Sequence, residues 1–167
     1  MDELDKLAER LGAALLASGD VLATAESCTG GWIAETVTTV AGSSAWFDRA
    51  YVTYSNDAKG DMLGVNAKTL DSHGAVSEPV VEEMARGALK GATTVAVAVS
   101  GVAGPDGGTA SKPVGMVCLA WATTGGKVHA ATRHYHGDRV AVRRQAVTDA
   151  LQGVIDLVGT GGEGKKT

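Results

Sequence analysis

The sequence predicts a single α/β domain in which helices cover both faces of a mixed sheet, an α/β/α sandwich. Helical and strand-like segments alternate over most of the chain, which favours a layered sheet with helical crossovers. Two later strand-like segments meet at Gly125-Gly126, a hairpin signal that adds antiparallel strands. We expect the folded domain to span 1–158. The remaining residues, 159–167, lack core-forming side chains and are expected to form a flexible tail.

The first half of the chain contains two helical and two strand-like segments. Leucines at helical spacing predict a helix over 3–17, and the short apolar run 21–25 predicts a buried strand. Apolar residues on one helical face predict a second helix over 30–41. Residues 50–54 are rich in strand formers, and 55–57 is a turn and helix-cap signal.

The second half adds two helices and three strands. Ser77 and the acid and proline after it predict a helix start. The alternating Val-Ala run 95–99 predicts a strand buried on both sides of the sheet. The hairpin strands are expected over 115–122 and 128–135, and Asp138 is expected to cap the last helix.

Composition excludes several classes of protein. The net charge of -4 and the 4% aromatic content argue against a nucleic-acid binder, which needs basic and stacking surfaces. No apolar run is long enough to span a bilayer, and four acids among the first nine residues do not fit a secretory leader. Two distant cysteines, Cys28 and Cys118, form no disulfide framework. We therefore expect a cytoplasmic protein that binds neither nucleic acid nor membranes.

Apolar helices at both ends of the chain favour a homo-oligomer.

Three polar or glycine-rich turns follow predicted strands, at 26–31, 55–59 and 100–108. Ligands of open α/β sheets bind just beyond the carboxyl ends of the strands. If these three ends lie together, they form one cleft. The side chains and backbone that would meet there belong to Ser27, Cys28, Thr29, Tyr54, Lys59, Ser100 and the loop 101–108.

The first turn allows two interpretations of Ser27. As a nucleophile it needs a base, and because no histidine lies in these turns, Lys59 is the candidate, with Tyr54 relaying the proton or holding the lysine. Gly30 and Gly31 would leave free N–H groups at the next helix start for an oxyanion. Alternatively Ser27 or Thr29 simply caps that helix, and spacing alone favours the cap.

The neighbouring residues do not resolve this choice. The Gly-x-Ser-x-Gly, Ser-x-x-Lys and Walker motifs are all absent. The thiol of Cys28 is a second candidate nucleophile, but without a nearby histidine it is better interpreted as a small buried residue.

The loop 100–108 also allows two interpretations. A tight Gly-Pro-Asp-Gly turn explains Pro105 and Gly107. Close approach of a ligand to bare backbone would explain the other glycines, Gly101, Gly104 and Gly108. The sequence alone does not decide between them.

Two further clusters of polar residues occur near the C-terminus. His134 and His136 could form a metal pair with Asp138, but a surface strand is the favoured interpretation. An arginine cluster at the start of the last helix could bind phosphate together with free helix N–H groups, although a solvated face is favoured from spacing. This cluster consists of Arg139, Arg143 and Arg144.

Several long motifs, in order, resemble the CinA C-terminal domain family. They are "TAESCTGGWIAE", "AGSSAWFDRAYVTYSNDAK", "HGAVSEPVVEEMARGAL", "SGVAGPDGG", "KPVGMV" and "GDRVAVRRQAV". More narrowly, the chain looks like the stand-alone bacterial members of this family, the nicotinamide-mononucleotide amidohydrolases. The resemblance covers about residues 4–157.

The resemblance implies an activity and a set of site residues. It implies hydrolysis of the carboxamide of nicotinamide mononucleotide to nicotinate mononucleotide and ammonia, without metal or cofactor, as a step of pyridine nucleotide recycling. It implies Ser27 as nucleophile and Lys59 and Tyr54 as the other catalytic residues. A non-catalytic nucleotide-sensing module of the same fold is the alternative. Family members often have threonine at Ser100, which retains the hydroxyl. The expected substrate-binding residues are Cys28, Thr29, Gly30, Gly31, Ser100, Gly101, Gly104 and Arg139.

Overall fold

A computed structural model describes the backbone of residues 2–166 and the side chains of residues 2–159. The chain forms one five-stranded sheet with the strand order β2-β1-β3-β4-β5. The strands are β1 (Leu22–Glu26), β2 (Phe47–Val52), β3 (Val95–Gly101), β4 (Met116–Thr123) and β5 (Val128–His134). β1 pairs in parallel with both β2 and β3, whereas β3-β4 and β4-β5 are antiparallel. The predicted mixed sheet is therefore confirmed.

Six α-helices cover the two faces of the sheet. They are α1 (Glu3–Ser18), α2 (Trp32–Thr38), α3 (Asn56–Leu63), α4 (Ala67–His73), α5 (Glu78–Gly87) and α6 (Arg139–Lys166), with a short 3₁₀ turn at Ser43–Ala45. Helices α1, α2 and α6 pack on one face, and α3, α4 and α5 pack on the other. The α/β/α sandwich that the sequence predicts is confirmed.

The central strand β3 shows why the sequence folds this way. Its valines, Val95, Val97 and Val99, enter the core beneath α1, α2 and α6, while Ala96 and Ala98 face α5. All five side chains are fully buried. Because successive strand residues point to opposite faces, the Val-Ala alternation produces one thick and one thin core layer.

The structure differs from the prediction in three local details. β2 begins at Phe47, three residues before the predicted strand, and ends at Val52. Helix α4 was not predicted from the sequence. Ser77 precedes α5 as expected, but its hydroxyl donates to the Gly74 carbonyl instead of accepting a bond from the helix. The predicted cap at Asp138 is confirmed, since its carboxylate accepts from Ala141 N–H.

The last helix extends further along the chain than predicted. The backbone of α6 is helical through Lys166, which includes most of the predicted tail 159–167. The side chains beyond residue 159 lie outside the described ones, so the flexibility of that segment remains a prediction. No described helix is long and apolar enough to cross a membrane.

Candidate active site

The carboxyl ends of the three parallel strands open into one cavity of about 320 Å³. The register pairs Glu26, the last residue of β1, with Val52 of β2 and Val99 of β3, so the three following turns start at the same edge of the sheet. The predicted meeting of these turns is therefore observed. The cavity is lined by Ser27, Cys28, Tyr54, Asn56, Lys59, Ala75, Val76, Ser100, Gly101, Val102, Ala103, Gly104, Asp106, Gly107 and Arg139.

Ser27 and Lys59 are in hydrogen-bond contact inside this cavity. The Nζ atom of Lys59 lies 3.0 Å from Ser27 Oγ and 2.9 Å from the carbonyl oxygen of Thr53. Lys59 is only 1% exposed and Ser27 only 8% exposed. Lys59 reaches inward because it belongs to the first turns of α3, whose start Ser55 caps through a bond from Ala58 N–H. The geometry matches a nucleophile and a base within proton-transfer distance.

Burial shifts the pKa values of two candidate reactive groups, the Lys59 amine and the Cys28 thiol. Desolvation lowers the pKa of the Lys59 amine below its ordinary value, which favours the neutral form that can accept a proton. Burial raises the pKa of the Cys28 thiol to about 11, so this thiol stays protonated near neutral pH. The interpretation of Cys28 as a buried residue and not the nucleophile is thus supported.

The carboxylate of Glu26, and not a hydroxyl, caps helix α2. Glu26 is fully buried and accepts hydrogen bonds from the N–H groups of Gly31, Ile33 and Ala34. The Ser27 hydroxyl bonds Lys59 instead, and the Thr29 hydroxyl has no partner among the described residues. The capping alternative for Ser27 or Thr29 is therefore wrong.

Glu26 also changes which N–H groups remain for an oxyanion. The Gly31 N–H donates to Glu26, and the Gly30 N–H donates to the Ser27 carbonyl. Neither N–H group is therefore free, although the sequence predicted that both would be. Among the described residues, the N–H groups of Cys28 and Thr29 donate to no backbone carbonyl. The free N–H groups expected at Gly30 and Gly31 are therefore not observed. An oxyanion role for the backbone of this turn stays a prediction, and the N–H groups of Cys28 and Thr29 are the ones left for it.

Arg143 binds the same turn through two of its carbonyl groups. Its Nε donates to the Cys28 carbonyl at 3.0 Å, and its Nη2 donates to the Thr29 carbonyl at 3.1 Å. Its guanidinium carbon lies 5.4 Å from the centre of the Trp32 ring, a cation–π contact. Arg143 lies on α6, so this helix fixes the turn to the body of the domain.

Tyr54 and Arg139 lie together at the mouth of the cavity. Tyr54 is 65% exposed, and its hydroxyl accepts from Arg139 Nη2 at 3.3 Å. Arg139 Nη1 also donates to the Gly104 carbonyl at 2.7 Å. Among the described residues, no hydrogen bond joins Tyr54 to Lys59, and the carbonyl of Thr53 holds the lysine instead. A proton relay through Tyr54 remains a prediction.

The glycines of the 100–108 loop are explained mainly by the packing of the chain on itself. A Cβ at Gly101 would lie 2.6 Å from Val117 Cγ2, and one at Gly108 would lie 2.8 Å from the Val114 nitrogen. Gly104 has a φ of +82° and also contacts Val114. The Gly104–Pro105 peptide bond is cis. Close approach of a ligand is therefore not needed to explain these glycines, although Gly101 and Gly104 line the cavity.

The cavity includes residues that the sequence did not indicate and omits some that it did. Thr29, Gly30 and Gly31 do not line it. Asn56 lines it and was missed, because it lies in a segment that reads as an ordinary helix cap, whereas Asp106 belongs to the loop 101–108 that was expected there. Glu26 and Thr53 were also missed. An acid a few residues before two glycines and a helix start was a usable signal for Glu26, since carboxylates stabilise helix N-termini.

The other candidate clusters lie elsewhere. His134 and His136 form no group of three metal-binding side chains within the described part of the chain, and Asp138 caps α6. A larger cleft of about 410 Å³ lies between β4, β5 and α6. None of the sequence-predicted site residues lines it.

The sheet order, the Ser27–Lys59 contact and the surrounding turns define a single-domain α/β protein with a cavity at the carboxyl ends of its parallel strands. The model of the CinA C-terminal domain family matches residues 4–158. The chain belongs to this family.

Relatives and solved structures agree with this assignment. The nicotinamide-nucleotide amidohydrolase PncC of Escherichia coli K12 is 58% identical over 151 residues, which cover 90% of this chain and 92% of that protein. The protein of the same name from Pseudomonas putida is 54% identical over 158 residues, 94% of this chain and 98% of that one. The crystal structure of the competence/damage inducible protein CihA from Agrobacterium tumefaciens is 46% identical with a TM-score of 0.90, covering 94% and 96% of the two chains.

Proposed function

We propose that this protein is an enzyme that hydrolyses the carboxamide of nicotinamide mononucleotide, with Ser27 as nucleophile and Lys59 as base. The observation that carries the proposal is the 3.0 Å contact between buried Lys59 Nζ and Ser27 Oγ. The substrate comes from the PncC relatives, which are 54–58% identical over at least 90% of this chain. The cavity of about 320 Å³ is in the size range of small-molecule sites.

The first half of the reaction forms an acyl-enzyme. Neutral Lys59 takes the proton of the Ser27 hydroxyl, and Ser27 Oγ bonds the amide carbon of the substrate. Backbone N–H groups of the turn after Ser27, of which Cys28 lines the cavity, stabilise the negative oxygen of the tetrahedral intermediate. The C–N bond then breaks, and the leaving nitrogen takes the proton from Lys59 and departs as ammonia.

The second half regenerates the enzyme. A water molecule gives a proton to Lys59 and bonds the acyl carbon, the ester bond to Ser27 Oγ breaks, and the proton returns to Ser27. The product is nicotinate mononucleotide, so each turnover consumes one water and releases one ammonia. The Thr53 carbonyl keeps the lysine nitrogen beside Ser27 through both halves.

Arg139 is the proposed contact for the substrate phosphate. It lies at the mouth of the cavity, at the first residue of α6, and its guanidinium bonds only the neutral oxygens of Tyr54 and Gly104 among the described residues. A phosphate could replace these weaker bonds with charge-assisted ones. Tyr54 would then contribute its ring to the wall of the site, and its relay role is part of the same proposal.

The proposed setting follows from the activity. The reaction recycles pyridine nucleotide towards NAD synthesis in the cytoplasm, and two free, buried cysteines fit a reducing compartment. We also propose a homo-oligomer, supported by the exposed apolar side chains of Leu16 on α1 and Val140 on α6. Light scattering after size-exclusion chromatography measures this directly.

Ammonia release from nicotinamide mononucleotide tests the central proposal. Wild type is expected to release one ammonia per nicotinate mononucleotide formed. Ser27→Ala is expected to abolish release while still binding the substrate in calorimetry, because only the nucleophile is lost. A wild-type protein that binds the nucleotide without turnover would support the alternative, a nucleotide-sensing module.

The ammonia-release assay with added chelator tests the expectation that the reaction needs no metal. Activity that survives chelator supports the serine mechanism. Activity that is lost with chelator and restored by a divalent cation contradicts the metal-free part of the proposal.

A further inference from the structure

Two oppositely charged side chains hold the turn that carries Ser27, and neither lines the cavity. Glu26 lies beneath the turn at the end of β1, and Arg143 reaches it from α6. Together they make five hydrogen bonds, all to backbone groups of residues 28–34. Neither residue is among those that surround the substrate cavity.

Glu26 fixes the downstream half of the turn. A buried carboxylate is costly unless it is fully hydrogen-bonded, and here three N–H groups of Gly31, Ile33 and Ala34 satisfy it. The three bonds hold α2, a helix of only seven residues, against the end of β1. This leaves little freedom in the intervening residues, 27–30.

Arg143 fixes the plane of the peptide group that follows Cys28. In a trans peptide the C=O and N–H groups point in opposite directions, so the carbonyl of Cys28 and the N–H of Thr29 lie on opposite sides. Because Arg143 binds that carbonyl, Thr29 N–H is directed away from α6. The second bond of Arg143, to the Thr29 carbonyl, fixes the next peptide plane in the same way.

We infer that Glu26 and Arg143 are positioning residues that hold the turn carrying Ser27, and with it the backbone N–H groups that the proposed reaction uses for the oxyanion. This inference rests on the proposed function, since it concerns the transition state of that reaction. The two side chains bind different backbone groups of the same segment: Glu26 accepts from three N–H groups within residues 31–34, and Arg143 donates to the carbonyl groups of Cys28 and Thr29. Neither lines the cavity, so we expect their effect on the reaction step and not on binding.

The test compares kcat and KM in charge-conserving and charge-removing variants. Arg143→Lys keeps the charge but loses the two-pronged geometry, and Glu26→Gln keeps the shape but loses the charge. Arg143→Met is the stronger variant. Removing or misplacing an oxyanion donor costs on the order of 10²-fold in kcat, and we expect Arg143→Met to approach this. KM is expected to change less than about threefold, with Arg143→Lys and Glu26→Gln intermediate in kcat.

A matched control comes from the next residue along α6. Arg144 pairs with Asp2 on the surface, so Arg144→Met removes a charge from the same helix without touching the turn. Its kcat is expected to match wild type. Nucleotide affinity is measured separately by calorimetry in the Ser27→Ala background, where addition of Arg143→Met is expected to leave Kd unchanged.

The outcomes separate this inference from the proposed function. If wild type is active and folded Arg143→Lys and Glu26→Gln keep full kcat, the positioning role is overturned while the proposed function stands. If Kd weakens as much as kcat falls, the residues act on binding or on folding, and the inference also fails. If wild type itself releases no ammonia, the proposed function fails first. A fall in kcat at unchanged Kd, with partial activity in the two conservative variants, supports the inference.

Discussion

Lys59 Nζ lies 3.0 Å from Ser27 Oγ, with both side chains almost completely removed from solvent. The contact joins α3 to the turn after β1, 32 residues apart along the chain. A buried amine without a carboxylate partner is unfavourable for folding alone. The arrangement therefore fits the proposed role of Lys59 as the base better than a structural pair.

Replacement of Lys59 by methionine is expected to lower kcat by about 10²–10⁴-fold, because methionine fills similar space but accepts no proton. Ammonia release measures this. Lys90→Met is the control, since Lys90 is an exposed lysine that donates to the Met62 carbonyl away from the cavity. A Lys59→Met protein with normal kcat and raised KM would instead make Lys59 a binding residue.

The pH dependence of kcat/KM is expected to rise with pH through the pKa of Lys59 and then level off, because only the neutral amine accepts the Ser27 proton. Burial lowers this pKa, so the midpoint lies below 10.5. Assays run from pH 5 to 10.5, with nicotinamide riboside in parallel to remove the phosphate ionisation near pH 6. A rate that falls with pH over the whole range would exclude Lys59 as the base.

The same depressed pKa predicts how stability depends on pH. Between the folded and unfolded pKa values of Lys59, the unfolded chain binds the extra proton, so the unfolding free energy of wild type rises with pH. The slope reaches at most about 1.4 kcal/mol per pH unit and ends near pH 10.4, the unfolded value. Lys59→Met lacks this contribution, so the unfolding free energy of wild type should increase relative to that of the variant as pH rises. Urea unfolding of both proteins across pH 6–10 measures the difference, and parallel curves would contradict it.

The sheet and its edge could be predicted because the strand signals are local. The Val-Ala alternation of β3 and the turns that follow β1, β2 and β3 are visible in the sequence, and topology alone brings Ser27, Lys59 and Ser100 together. The prediction that Lys59 is the base rested on the absence of histidine near the turns. That is a chemical argument and not a structural one.

The parts that could not be predicted depend on side-chain direction. Glu26 ends β1, and its position before a helix start signals a role at the helix N-terminus, but the sequence does not show that one buried carboxylate accepts from three N–H groups of that segment. The contact of Arg143 with the Cys28 carbonyl joins residues 115 positions apart. Tyr54 and Lys59 are close in sequence, yet β2 ends before Tyr54 and leaves its side chain at the exposed mouth of the cavity.

Removal of the Arg139 guanidinium is expected to weaken binding of the phosphate. Arg139→Met should raise KM for nicotinamide mononucleotide by about tenfold or more, since a charge-assisted hydrogen bond is worth roughly 1.5–3 kcal/mol. Nicotinamide riboside, which has no phosphate, is the control substrate, and its kcat/KM should change little. Equal losses of kcat/KM for both substrates would show that Arg139 supports the loop around Gly104 and does not bind the phosphate.

Two helical glycines, Gly87 of α5 and Gly60 of α3, allow a matched test of how closely α3 packs against α5. A Cβ at Gly87 would lie 1.9 Å from the Leu63 carbonyl oxygen, whereas the nearest atom to a Cβ at Gly60 lies at 3.6 Å. Gly87→Ala must push the two helices apart, and overpacking of this kind costs about 1–3 kcal/mol. Gly60→Ala lies in α3 without such a contact and should be neutral or stabilising by up to about 1 kcal/mol.

Urea unfolding of both alanine variants checks this comparison. Because α3 carries Lys59, the separation of α3 from α5 in Gly87→Ala should also lower kcat. A Gly87→Ala protein as stable as Gly60→Ala would show that α3 and α5 pack less closely than described.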